Sequence, residues 1–358
     1  MFLVNFFFSF CIISLCMILW SRRKYYKLIF KLPGRIGYPI LGNALEIKQR
    51  DETTMGQRGS ALNETLLQSF SYVLETVSEM SILSWLDMKA LVWILGDYER
   101  YKRSKMAIRK YIGNLITERT KVTPNQSKLD GNIFINRAIE LLQQGSFTRK
   151  NVEDESFVIV FGAFETTATT LKQILILLAM HPQYQERAFE EVSSLFPESG
   201  SFEMSYSDIQ QLSYVSMLID ETMRVMATIP LVGRQLIADM KLSNGIVLPK
   251  GIQVLIDIFN MQRREDIWGA EAHRFNPENF LPSNIEGKHP YSYIPFTKGM
   301  RNCIGSKYAL LSLKIAVAKL VRNFRFTTDF EYNNLHFVEN IAIKLKEEPL
   351  IRIHKREM

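Results

Sequence analysis

The chain of 358 residues has little cysteine and little histidine, three of the first and five of the second. Three cysteines are too few for a disulfide framework, and Cys11 and Cys16 share one apolar run far from Cys303. No Cys-x-x-Cys pair or clustered His/Cys set occurs, which argues against a structural zinc site. His181, His273, His289, His336 and His354 show no recognisable pairing with a cysteine, so a thiol nucleophile lacks its usual base. Dense basic blocks are also scarce. Beyond Arg22-Arg23-Lys24 and a scattered set from Arg100 to Lys110, the net charge of +7 is spread thinly. Without a basic stripe on a recognisable module, no nucleic-acid partner is expected. The mild excess suits anionic lipid or an acidic protein instead. Repeats and low-complexity tracts are missing, and 47% apolar with 23% charged residues describes a globular chain.

One long apolar run is present. Residues 2–20, FLVNFFFSFCIISLCMILW, carry no charge and are just long enough to cross a bilayer as a helix. Ser21-Arg22-Arg23-Lys24 follows at once, and Trp20, Tyr25 and Tyr26 suit the interface, so the positive-inside rule places the rest of the chain in the cytoplasm. No charge precedes the run and no small-x-small site closes it, which favours a single-pass signal anchor over a cleaved peptide. Residues 21–50 are basic and contain KLPGRIGYPILGN, a stiff Pro/Gly linker, and residues 51–358 form the body of the chain.

Apolar residues at three- and four-residue spacing predict helix from about Asn63 to Lys121 and again from Gly131 to Gln144. FVIVFGAFETTATTLKQILILLAM, Phe157 to Met180, reads as a buried central helix rather than a second span, because it carries Glu165, Lys172 and several threonines and stops at His181-Pro182. Amphipathic helices are expected over Gln183–Leu195 and Leu212–Met226. The period then changes. LVGRQLI reads as a strand, and IVLPKGIQVLID as a hairpin turning at Pro249-Lys250-Gly251. A loop-rich stretch leads to Pro295, a helix is expected over Ser306–Phe324, and His336 to His354 reads as a closing hairpin. The fold class is mainly α with a small β part.

The chemistry concentrates in PFTKGMRNCIG, Pro295 to Gly305. A thiol just before a helix has its thiolate favoured by the free N–H groups and the dipole of that helix. Gly299 and Gly305 leave room for a bulky group, Phe296 offers an aromatic wall, and Arg301 can clamp a carboxylate. Thiolate, space, wall and clamp describe one face of a haem. The residues alone leave two other roles open, an inert buried thiol and a nucleophile.

Phe296-x-x-Gly299-x-Arg301-x-Cys303-x-Gly305 matches the haem-binding signature of the cytochrome P450 family at every defined position. Other family motifs follow the right order. Gly162-Ala163-Phe164-Glu165-Thr166-Thr167 resembles the oxygen-activating stretch, Glu221-Thr222-Met223-Arg224 the ExxR of a helix beneath the haem, and Phe275-x-Pro277-Glu278-x-Phe280 the segment before the haem loop. The chain is most similar in flavour to microsomal, insect-type relatives of the fatty-acid hydroxylases. The resemblance implies an incomplete P450-like fold with an N-terminal transmembrane helix, at the endoplasmic reticulum membrane with its catalytic part cytoplasmic. It implies haem with Cys303 as axial ligand, Arg301 and Arg234 on the propionates, and Thr166 with Glu165 delivering protons to dioxygen. The reaction implied is monooxygenation of a small apolar substrate, with an NADPH-dependent flavoprotein reductase and cytochrome b5 as partners. Gly162 stands where fatty-acid hydroxylases carry a haem-esterifying glutamate, so no covalent haem link is expected. Glu221 and Arg224, at i and i+3, share a helix face and can pair, and Asn279, where the family has arginine, can donate to Glu221 or accept from Arg224. Phe161, Phe164, Thr170 and Ile229 to Val232 are candidate pocket residues.

The chain is well over a hundred residues shorter than the family expects. DETTMGQ, Asp51 to Gln57, resembles a segment that belongs further downstream of the linker, which makes Gln49-Arg50-Asp51 the candidate junction of a deletion. Trp85-x-x-x-Lys89 resembles a propionate-clamping motif but lies out of order and is set aside. The shortening leaves a second reading, an inactive membrane-bound remnant that binds haem poorly.

Overall fold

The computed structural model describes residues 68–73, 75–77, 98–121, 134–197, 202–338 and 341–356. The expected anchor, the linker and the junction near Arg50 lie outside the described residues. Among those described, no helix is long and apolar enough to cross a membrane.

The described residues fall into two compact units, Val232–Ile256 and the remainder. The larger unit is helical. Residues 68–73 and 75–77 are helical, followed by α1 (Tyr98–Lys121), α2 (Phe134–Gln143), α3 (Arg149–Met180), α4 (Pro182–Leu195), α5 (Tyr206–Gln211) and α6 (Ser213–Val225). After single helical turns at Ile258–Met261, Glu265–Trp268 and Pro282–Ile285 and a 3-10 turn at Pro277–Phe280, α7 (Ser306–Asn323) completes it.

Helix α3 begins eight residues before Phe157, the start expected from apolar periodicity. Thr148 and Asn151 form a reciprocal capping box, the Thr148 side chain accepting from the Asn151 amide and the Asn151 side chain from the Thr148 amide. The polar stretch after it, RKNVEDES, carries no apolar period to announce the helix. Pro182 ends the helix and opens α4, where its missing N–H costs nothing. Helix α6 has no cap of its own. Glu191 of α4 supplies one, its carboxylate accepting from the Tyr214 and Val215 amides at 2.6 and 2.9 Å.

Two apolar cores share α3. Val152 joins Phe70, Val73, Ile108, Ile112, Ile116 and Ala138 in one. Ile174, Leu177 and Leu178 join Val192, Leu218, Ile219, Leu313 and Val317 in the other, against α4, α6 and α7. Between them Gly162, Ala163 and Ala168 are exposed.

The β part differs from expectation. In the smaller unit β1 (Leu231–Gln235) pairs with β4 (Gln253–Asp257), and β2 (Met240–Lys241) with β3 (Val247–Leu248). The predicted hairpin across Pro249-Lys250-Gly251 is therefore corrected: a turn is present there, with Gly251 at φ +83°, but its flanking strands join different sheets. The tight hairpin turns instead at Asn244-Gly245, where the Leu242 amide donates the closing bond to Ile246 O (2.7 Å). The tail also divides. Phe337–Val338 (β6) pairs with Lys344–Leu345 (β7), whereas Arg352–Lys355 (β8) returns antiparallel to Phe324–Thr327 (β5).

Candidate haem-thiolate site

The geometry rests on a buried ion pair. Arg224 donates from Nε to Glu221 Oε2 (2.6 Å) and from Nη2 to Glu221 Oε1 (2.7 Å), a bidentate pair with both side chains fully buried. The rest of the guanidinium is also satisfied, donating to the carbonyls of Gln262 (3.1 Å), Ala272 (2.6 Å) and Arg274 (3.0 Å) and lying 4.8 Å from the Trp268 ring centroid. Glu221 Oε1 accepts from the Asn276 amide (2.8 Å) and from Asn279 Nδ2 (3.1 Å), so Asn279 acts as a donor to the carboxylate. Burial pushes the Glu221 carboxyl upward, and Arg224 with these two amides pulls it back. A pair this deep persists because nearly every lone pair and proton has a partner.

The Cys303 loop is joined to this network through Gln262. Ile294 O accepts from the Thr297 amide (2.9 Å), and Phe296 O accepts from the Cys303 amide (3.0 Å), closing the loop on itself. Gly299 at φ +87° makes the tight turn that glycine alone adopts freely, with space around it. A Cβ at position 305 would stand 3.9 Å from Cys303 Sγ. The sulfur itself is exposed, and α7 starts at Ser306 with no side-chain cap, leaving its first N–H groups open beside the loop. Phe296 packs partly into the larger core. Arg301 is exposed, and no partner for its guanidinium is found among the described residues.

A family model for cytochrome P450 matches residues 43–351. The chain belongs to the cytochrome P450 family. A Drosophila melanogaster protein described as probable cytochrome P450 313a4 is 48% identical over 314 residues, covering 85% of this chain and 64% of the relative. A second, probable cytochrome P450 313a3, is 38% identical over 311 residues, covering 85% and 63%. The chain thus spans less than two thirds of the length of these curated relatives. Among solved structures, the cytochrome P450DA heme domain shares the fold, with a TM-score of 0.67 at 21% identity over 82% of this chain and 60% of that one.

Members of this family are haem-thiolate proteins that carry iron protoporphyrin. The residues present fit that group: an exposed cysteine ahead of a helix N-terminus, open space around Gly299, only ordinary contact distance between position 305 and the sulfur, and an exposed guanidinium two residues away.

The other predicted residues are placed as follows. Thr166 Oγ1 donates to Gly162 O (2.7 Å), one turn back along α3, and Glu165 beside it is partly buried. Arg234 belongs to the smaller unit, where its Nη1 donates to the neighbouring Gly233 carbonyl (2.8 Å). Two expected pocket residues are engaged elsewhere. Phe161 stacks on Phe157 (5.5 Å) beside Phe70, and buried Thr170 shares a hydrogen bond with the Thr228 hydroxyl (2.7 Å). The Phe164 side chain lies outside the described residues.

Sequence reasoning missed three residues. Gln262 is fully buried, with Nε2 donating to Met223 O (3.0 Å) and Oε1 accepting from the Ile294 amide (2.8 Å). Tyr293 donates its hydroxyl to Asp220, whose Oδ1 and main-chain oxygen each lie 3.0 Å away. Burial pushes the Asp220 carboxyl up to about 6, against the Tyr293 hydrogen bond and the Lys314 charge. Burial also raises the Tyr293 phenol well above its usual range. The adjacent acids Asp220-Glu221 on one helix were a readable signal. Gln262, in a polar run, gave none.

Proposed function

We propose that the chain is a haem-thiolate monooxygenase that inserts one atom of O2 into a small apolar molecule and releases the other as water. Two electrons come from NADPH through a flavoprotein reductase, and two protons come from solvent. The observation that carries this reading is the exposed Cys303 on a closed loop joined through Gln262 to a fully buried Glu221–Arg224 pair. Haem, when bound, supplies dioxygen activation and oxygen-atom transfer. Cys303 would hold it through its thiolate, without a covalent ester to α3, and Arg301 would meet a propionate as a bidentate clamp. Thr166 would orient a water molecule for proton delivery. Its hydroxyl proton is committed to Gly162 O, which leaves its lone pairs to accept from that water. Glu165 would relay protons from the surface. The apolar run at residues 2–20 with its basic flank supports an anchor in the endoplasmic reticulum membrane, with the site facing the cytoplasm.

A second reading, a membrane-bound relative that holds haem poorly, has in its favour that the chain spans 64% of the length of a relative it matches closely. One experiment separates the two. The full chain, expressed in membranes, reduced and exposed to carbon monoxide, should show a Soret band at the thiolate-ligated position that Cys303→Ala abolishes. No band, or one at the position of a neutral thiol or imidazole, sinks the monooxygenase reading.

A further inference from the structure

The Cys303 loop is exposed along most of its length, but its root is tied down at two successive residues. Tyr293 reaches α6 through its hydroxyl on Asp220, and its ring stands edge-on to Phe280 at 4.7 Å. Ile294 is held by its main chain, its amide donating to Gln262 Oε1 at 2.8 Å. Gln262 is in turn fixed on both sides. Its Nε2 donates to Met223 O at 3.0 Å, and its main-chain carbonyl accepts from Arg224 Nη1 at 3.1 Å. One buried side chain therefore bridges the helix of the ion pair to the backbone from which the cysteine loop grows.

Three residues beyond this root the backbone is strained. Thr297 has φ +59°, the one non-glycine residue at positive φ among those described. For a β-branched side chain this is a true outlier, which persists only where the surroundings impose it. The imposing contacts are visible. The Thr297 amide donates to Ile294 O (2.9 Å), and its hydroxyl lies 3.3 Å from Arg301 O. With Ile294 held by Gln262, this curl brings Phe296 O round to accept from the Cys303 amide.

We propose that Gln262 is a positioning residue for Cys303, acting with the Tyr293–Asp220 contact to fix the loop root so that the strained curl at Thr297 presents the sulfur in one place. The use made of that placement rests on the haem-thiolate reading, whereas the pinning concerns the chain alone. A loop released at its root lets the sulfur drift, and a ligand that drifts takes up a proton and is lost as thiolate.

Two readouts on the full-length chain test this separately. In the haem-free protein, hydrogen exchange of the peptide spanning 294–303 reports the loop's closing bonds. Gln262→Leu keeps the volume but neither hydrogen bond, and should speed exchange of the Cys303 amide by about tenfold. Gln262→Glu, protonated in so buried a place, keeps an acceptor and a donor and should restore slow exchange. In the haem-loaded protein, Gln262→Leu should move the reduced carbon monoxide band from the thiolate to the neutral-thiol position, and Gln262→Glu should move it back. Unchanged exchange in Gln262→Leu overturns the proposal whatever the spectrum shows. Faster exchange in the variant, beside a wild type that never shows the thiolate band, leaves the pinning intact and removes the haem-thiolate reading instead. If Gln262→Leu does not fold, Tyr293→Phe, which removes one hydroxyl, replaces it, and unchanged exchange there is equally fatal.

Discussion

Two neighbouring regions of the larger unit are built on opposite terms. In the ion-pair network Glu221 and Arg224 are 0% exposed and the guanidinium meets a carboxylate and three carbonyls. In the loop just beyond, Met300 is 101% exposed, Ile304 is 95% exposed, and Arg301 extends without a partner among the described residues. The first region stores stability and the second stores shape. Removing one partner of a buried pair is costly because the other charge is stranded, while an exposed loop side chain can be exchanged with little effect. The loop's geometry is thus inherited from its root.

That contrast can be broken or sharpened by substitution. The largest effect is expected from Arg224→Ala, which strands Glu221 and three carbonyls and should cost roughly 3–5 kcal/mol in urea unfolding, or prevent folding. A loss below about 1 kcal/mol would show the network to be no stronger than a surface pair.

Next comes Asp220→Asn, read as stability against pH. The folded-state pKa of Asp220 is raised from the ordinary carboxylate range to about 6, so its contribution is fully present at low pH and is lost as pH rises through about 6. The variant should therefore gain on wild type above pH 6, by on the order of 2 kcal/mol, and lose that advantage near pH 4. An advantage independent of pH would assign the effect to packing.

A smaller gain, up to about 1 kcal/mol, is expected from Thr297→Gly, which relieves the left-handed strain at the cost of chain entropy. Thermal unfolding would detect it, and a loss of stability would mean that the Thr297 hydroxyl matters more than its backbone. The smallest effect belongs to Met300→Ser, expected within about 0.5 kcal/mol of wild type. A larger loss would mean that the loop carries stability after all.

Legibility in the sequence followed the range of the interactions. The Glu221–Arg224 pair was readable because i and i+3 share a face. The helix ending at His181-Pro182 was readable from its apolar period and its breaker, but its first eight residues were not, because a capping box over a charged stretch leaves no period to count. The small strands misled for the opposite reason. Pro249-Lys250-Gly251 is a true turn signal, yet partners for strands two to five residues long are chosen across the unit and not across the nearest turn. Gln262 was invisible. Its two side-chain partners are main-chain groups, and main-chain groups look alike in every sequence.

Helix α3 has a consequence for how this chain can change in length. Its 32 residues run about 48 Å as one uninterrupted rod and form a wall of both apolar cores. Inserting a single residue between Gly162 and Thr169 would turn everything beyond by about 100° and advance it by about 1.5 Å, rotating Ile174, Leu177 and Leu178 out of the core they now fill. The helix therefore works as a fixed ruler between the cores. An addition or loss of one residue inside it would set one core out of register with the other.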